Sequence, residues 1–241
     1  MTRPAQFAAR PGREPGAAPR RRHWVRWILI GVAALVILAV AAVAADVKLN
    51  PGPAPLALPG GAVSAPSGPL AGTWRVQPGS AAGFRIRETV LGLSNEVGGQ
   101  TSNVTGTAVL GADRLTAAVF HIGLRAITVS GTKQPQLATS LATGTYPEAT
   151  VTLARPVPLP AGFALGATVT FTAPAELALH GVTRPATATI TARRDGTAVQ
   201  AAGSIPVVFG TWGIRGPQGF GPFGSLADRG PAEFRLILGR G

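Results

Sequence analysis

Cysteine is missing from all 241 residues, and that absence closes several routes at once. A chain without thiols has no disulfide, no lipid attached through cysteine, no thiol nucleophile and no cysteine-ligated metal, so a domain built from it must stand on its core alone. Acids are scarce as well, ten Asp and Glu against 22 Lys and Arg. Glu88, Glu96, Asp113, Glu148, Glu176, Asp195, Asp228 and Glu233 show no paired spacing of the kind acid–base catalysis uses, although distant strands can still bring two together. No GxSxG elbow occurs, so the sequence offers no hydrolase serine on a strained turn. Histidine is limited to His23, His121 and His180, none at ligand spacing from another, which leaves no metal motif.

The net charge of +12 is easily misread. Arg3, Arg10, Arg13, Arg20, Arg21, Arg22 and Arg26 face Glu14 alone, so half of the excess precedes residue 27. The remainder is spread thinly, with no cluster denser than Arg193-Arg194 and no interleaving of aromatic and basic residues. That pattern argues against a nucleic-acid surface.

What the chain does have is a long apolar run. Residues 27–45 read WILIGVAALVILAVAAVAA, 19 residues without a charge. As a helix this is roughly 28 Å, close to the ~30 Å hydrocarbon layer of a bilayer. The arginine excess keeps the N-terminus cytoplasmic and sends the C-terminal body across, with Trp24 and Trp27 at the interface. A cleaved signal peptide is the competing reading, since Ala42-Val43-Ala44 offers a small-residue cleavage site and Arg21-Arg22 a twin-arginine pair. The run exceeds the roughly 7–15 residues of a signal h-region, which favours a retained transmembrane helix or signal anchor. Both readings export the body. Residues 1–26 are expected to be a disordered, basic cytoplasmic tail. Residues 46–71, rich in Pro and Gly, are expected to be an extended tether with an r.m.s. span of ~30 Å, free to reorient its cargo.

From 72 to 241 the pattern is β. Phe84 and Ile86 alternate with Arg85 and Arg87, Val151 and Leu153 with threonines, Val169 and Phe171 with Thr168, Thr170 and Thr172, and Phe234, Leu236 and Leu238 share a phase that excludes Arg235. One apolar and one wet face is the mark of an antiparallel meander. The segment 133–143, KQPQLATSLAT, has room for about two helical turns. About eight strands fit one domain, either a closed barrel or a two-sheet sandwich.

One segment is more specific than any periodicity. Residues 176–192, ELALHGVTRPATATITA, read as strand, tight turn, strand. In order along the chain stand Gly72-Thr73-Trp74-Arg75-Val76 with Ser80, Leu137 to Leu141 followed by Tyr146-Pro147, Ile205-Pro206-Val207-Val208-Phe209 with Trp212-Gly213-Ile214, and a closing Phe234 to Leu238. Together these resemble the YceI-like family of bacterial polyisoprenoid-binding proteins. The resemblance implies an all-β, lipocalin-like antiparallel barrel that holds an isoprenoid lipid, a quinone or polyprenyl carrier, without chemistry and without a cofactor. In such a barrel the inward phase supplies the lumen candidates Phe84, Ile86, Phe120, Ile122, Leu124, Val151, Leu153, Val169, Phe171, Leu177, Leu179, Phe234, Leu236 and Leu238. At the mouth, His180 and Arg184 flank the 181–183 turn and are candidates for a head group.

This chain departs from the family pattern in its anchor and tether, in an uncharged helical stretch, and in a Gly/Pro-rich segment after Arg215. Within that segment residues 219–224 spell GxGxxG, but Pro222 sits inside it and no strand–helix frame surrounds it, so a dinucleotide fingerprint is excluded. Phe220 and Phe223 are instead expected to form an apolar flap at the barrel mouth. The expected protein is a single-pass, membrane-anchored, extracytoplasmic lipid binder. A packed adhesive β-sandwich with protein partners is the alternative, and an exported hydrolase the third reading.

Overall fold

The computed structural model describes residues 21–49, 53–90, 92–215 and 224–241. α1 spans Arg21–Leu49. It starts inside the stretch expected to be disordered and continues past 45 into the expected tether. Both extensions have one cause: a nucleated helix propagates cheaply through residues that no Pro or Gly interrupts, and the next proline after it is Pro51. Residues 1–20 of the expected tail lie outside the described residues. Among the described residues no helix is long and apolar enough to cross a membrane.

The body is one antiparallel sheet closed on itself. β1 (Gly72–Val76) and β2 (Ala81–Val90) form a first, kinked strand, and β3 (Leu93–Thr101) and β4 (Val104–Leu110) a second. β5 (Arg114–Gly123), β7 (Glu148–Leu153), β9 (Val169–Leu179), β10 (Val182–Asp195), β11 (Ala198–Val208) and β13 (Arg229–Arg240) continue the meander, each beside its predecessor. Short β6 (Thr128–Val129), β8 (Val157–Pro158) and β12 (Gly224–Leu226) patch β3, β5 and β2. β13 then closes the ring, pairing Phe234 with Ala82 on β2 and Trp74 on β1 with its own Arg240. The result is an eight-stranded barrel with one short helix in its body, α2 (Pro135–Ser140), and not the sandwich.

The kink between β1 and β2 is held by one hydroxyl. Ser80 Oγ donates to Gln77 O at 2.8 Å and accepts from Ile237 N–H at 2.9 Å, standing in for the ladder bonds the bend removes. The two ends of the barrel differ. At the closed end Trp74 and Phe163 are fully buried beside Leu70 and Val169. Toward the other end β10 leaves β11: they pair only from Thr189–Ser204 to Asp195–Ala198. Trp212 and Ile214 fill the resulting slot, packed on Leu177, Ala188, Ile205 and Val207.

The stretch 53–71 is not a free tether. It is strapped along the outside of the barrel, because a stretch outside any helix or ladder leaves its carbonyls unused and arginine supplies donors for them. Arg193 Nη2 donates to Pro59 O at 2.5 Å, Arg194 Nη2 to Ser67 O and Gly68 O at 2.8 Å each, and Arg240 to Pro69 O and Ala71 O. In the other direction Ser64 N–H donates to Asp195 Oδ1 at 2.8 Å and Leu56 N–H to Glu233 Oε2 at 3.3 Å.

Candidate functional site

Alternation along the strands points one side chain in two toward the axis, and here that axis is hollow. A cavity of about 250 Å³ runs inside the barrel from Leu110, Leu115 and Phe163 at the closed end to Leu137, Leu141 and Phe209 at the other. Its wall is apolar except at Ser140 and Glu233, and Glu233 turns its carboxylate to Arg85 and Leu56 N–H. Every lumen candidate reaches this wall except Val169. Val169 packs instead in the closed-end cluster with Ala192 and Phe163, one layer below the space.

The hollow itself owes more to residues the sequence reading passed over. Ala173, Ala175, Ala188, Ala192 and Ala201 occupy inward positions of β9, β10 and β11, where a larger side chain would meet its opposite across the axis. Alanine is depleted in strands, so a run of it in the apolar phase was a readable signal of empty space.

α2 covers part of the open end with Leu137, Ser140 and Leu141. Its following turn is clipped down by Arg125, whose Nε and Nη2 donate to Thr143 O and Gly144 O at 3.0 Å each. Beside it, His180 and Gly181 join β9 to β10 with both residues at positive φ, 53° and 76°. That is a tight hairpin turn of the primed kind. Position 181 tolerates no side chain, since a Cβ there would lie 2.5 Å from the Tyr146 ring. His180 sits 5.2 Å from Tyr146, ring centre to ring centre, and its Nδ1 lies 3.0 Å from Trp212 O. A carbonyl only accepts, so Nδ1 carries the proton of this bond. Arg184 is exposed and makes no hydrogen bond among the described residues. Phe220 and Phe223 lie outside the described residues.

Two carboxylates far apart in sequence share one cation on the outer wall. Arg85 bridges Glu233 and Glu96, with 2.7 Å to an oxygen of each. The Glu233 hydrogen bond, helped by Glu96, holds the guanidinium above its usual range. His121 also faces outward, 2.8 Å from Glu148. Among the described residues no cluster of His, Asp and Glu could hold a metal ion.

A closed antiparallel barrel with an apolar, axial cavity is the architecture of a container for a hydrophobic molecule. The chain belongs to the YceI-like family, whose YceI-like domain matches residues 74–236. Among solved structures it is similar to a polyisoprenoid binding domain from Saccharophagus degradans, implicated in plant cell wall breakdown. The identity is 16%, the TM-score 0.53, and the match covers 71% of this chain and 99% of that one. BcnA of Burkholderia cenocepacia is similar at 14% identity and a TM-score of 0.49, over 64% of this chain and 95% of that one. No curated protein matches the chain in sequence.

Proposed function

We propose that this protein binds the hydrocarbon chain of an isoprenoid lipid inside its barrel and holds or carries it without altering it. The observation that carries the reading is the apolar cavity along the barrel axis. Each CH₂ moved from water into such a space contributes about 0.8 kcal/mol, so roughly ten carbons supply up to about 8 kcal/mol before ordering costs. The polyisoprenoid-binding domain of Saccharophagus degradans shares this fold and supports the assignment. At the rim, His180 Nε2 suits the hydroxyl of a prenyl alcohol or quinol, and exposed Arg184 offers charge beside it.

The helix Arg21–Leu49, with the arginine-rich segment before it, is the membrane anchor in this reading, and it places the barrel on the extracytoplasmic side. A lipid carrier moored at a membrane needs to reach only the adjacent leaflet.

The test fills the lumen. The full chain is purified in detergent and its organic extract analysed by mass spectrometry. A prenyl lipid is expected with the native chain and with Thr187→Phe, which adds a ring on the outer face. Ala188→Phe, one residue on and inward, is expected to be empty. Equal lipid in Ala188→Phe, or none in the native chain, would overturn the proposal.

A further inference from the structure

An eight-stranded barrel is just wide enough for its own side chains to fill, so large residues in the inward phase need somewhere to put their rings. Among the described residues, strands bring four phenylalanines to the lumen: Phe84 on β2, Phe120 on β5, Phe171 on β9 and Phe234 on β13. Three of them stand opposite a glycine on the adjacent strand. Phe84 faces Gly99, Phe120 faces Gly106 and Phe234 faces Gly203. In each pair the ring occupies the place of the missing side chain. A Cβ on Gly99 would lie 2.7 Å from Cε1 of Phe84, one on Gly203 2.7 Å from Cζ of Phe234, and one on Gly106 2.9 Å from Cδ1 of Phe120. Paired side chains share a face of the sheet, so these are inward positions. Each ring therefore lies across its neighbouring strand instead of standing toward the axis.

Glycine weakens the interior of a strand, and where it stands there it marks the close approach of another group. Here that group is a lumen phenyl. At Gly106 and Gly203 a Cβ would also strike a carbonyl of the next strand, Val119 O and Thr189 O. At Gly99 the nearest atoms are side chains alone, the Phe84 ring and Cγ2 of Ile127 at 2.8 Å. Filling that position would push the ring away from the wall, with Ile127 on one side and the lumen as the open direction. We infer that Gly99, Gly106 and Gly203 are positioning residues for the lipid: each is a seat that lays a phenylalanine along the wall, and together they hold the axis open for the chain. The inference rests on the hydrocarbon reading of the cavity and names residues that keep it hollow, beside the inward alanines of β9 to β11.

The test fills one seat, with and without its occupant. Geranylgeraniol is titrated against the full chain in detergent, and bound alcohol is read by native mass spectrometry. Gly99 does not adopt a positive φ, so its backbone accepts alanine, and the clash falls on the movable end of a side chain. Gly99→Ala is expected to keep the circular dichroism of the barrel and to bind about tenfold more weakly, because the displaced ring overpacks the lumen. In a Phe84→Ala background the ring is already gone, and the same substitution is expected to change affinity by less than about threefold. A general loosening of the fold would weaken binding in both backgrounds alike. Native affinity in a folded Gly99→Ala, or an equal loss with and without the ring, overturns the seats while leaving the hydrocarbon reading intact. A Gly99→Ala chain that does not fold also overturns them, since a ring with nowhere to swing is not being held off the axis. Failure of the native chain to bind the alcohol overturns both.

Discussion

Arg85 shows how one side chain can serve a wall it does not line. It neutralises Glu233, whose carboxylate is only 7% exposed and also takes the amide of Leu56 at the start of the strap. Removing the cation leaves a buried carboxylate without its partner, which typically costs 3–5 kcal/mol, whereas replacing both members of such a pair costs far less. Arg85→Ala is therefore expected to lower the melting temperature by roughly 10 °C for a domain of this size, and Arg85→Ala with Glu233→Ala to recover at least half of that, as read by circular dichroism. Glu96 adds little to the balance, being 45% exposed and screened by solvent.

At the scale of elements, the strap changes what the domain is. Arg193, Arg194 and Arg240 donate to it, Asp195 and Glu233 accept from it, and hydrogen bonds to charged groups contribute about 1.5–3 kcal/mol each. Arg194→Met keeps much of the side-chain volume but orphans three carbonyls. It is expected to destabilise the barrel by about 3 kcal/mol and to expose 60–70 to limited proteolysis. A cleavage pattern identical to that of the native chain would show the strap held by other means. The strands, by contrast, were legible. Alternation in 84–87, 150–153, 168–172 and 234–238 falls in β2, β7, β9 and β13, and the helical segment 133–143 contains α2. Period-two patterning reports which face of a strand is apolar. It carries no information on distant partners, which is why the docking of 53–71 by Arg194, 126 positions on, the Arg85–Glu233 pair, 148 apart, and the Trp212 plug, 32 positions from His180, were out of its reach. Nor does an apolar phase distinguish a filled axis from a hollow one until the alanines opposite are counted.

For the whole molecule, 53–71 belongs to the body of the barrel and drops out of the ~30 Å span expected of 46–71. If α1 is the anchor proposed above, the full chain should resist extraction from membranes by alkaline carbonate, and replacing Leu35 and Leu38 with Arg should release it into the supernatant. Recovery of the native chain in the carbonate supernatant would refute the anchor and leave the barrel's lipid binding untouched.

The pairing of β1 with β13 carries a consequence for biogenesis. Trp74 meets Arg240 across 166 positions of sequence, so the cylinder is sealed by the twelve-residue strand that is made after every other strand of the barrel. Until that strand arrives, the nascent sheet has two raw edges and an oily inner surface open to water. Such long-range zippering is slow and leaves the chain prone to aggregation while it waits. The same moment is an opportunity: a half-rolled sheet lying beside a membrane could wrap its first lipid as it shuts, before any mouth exists to admit one.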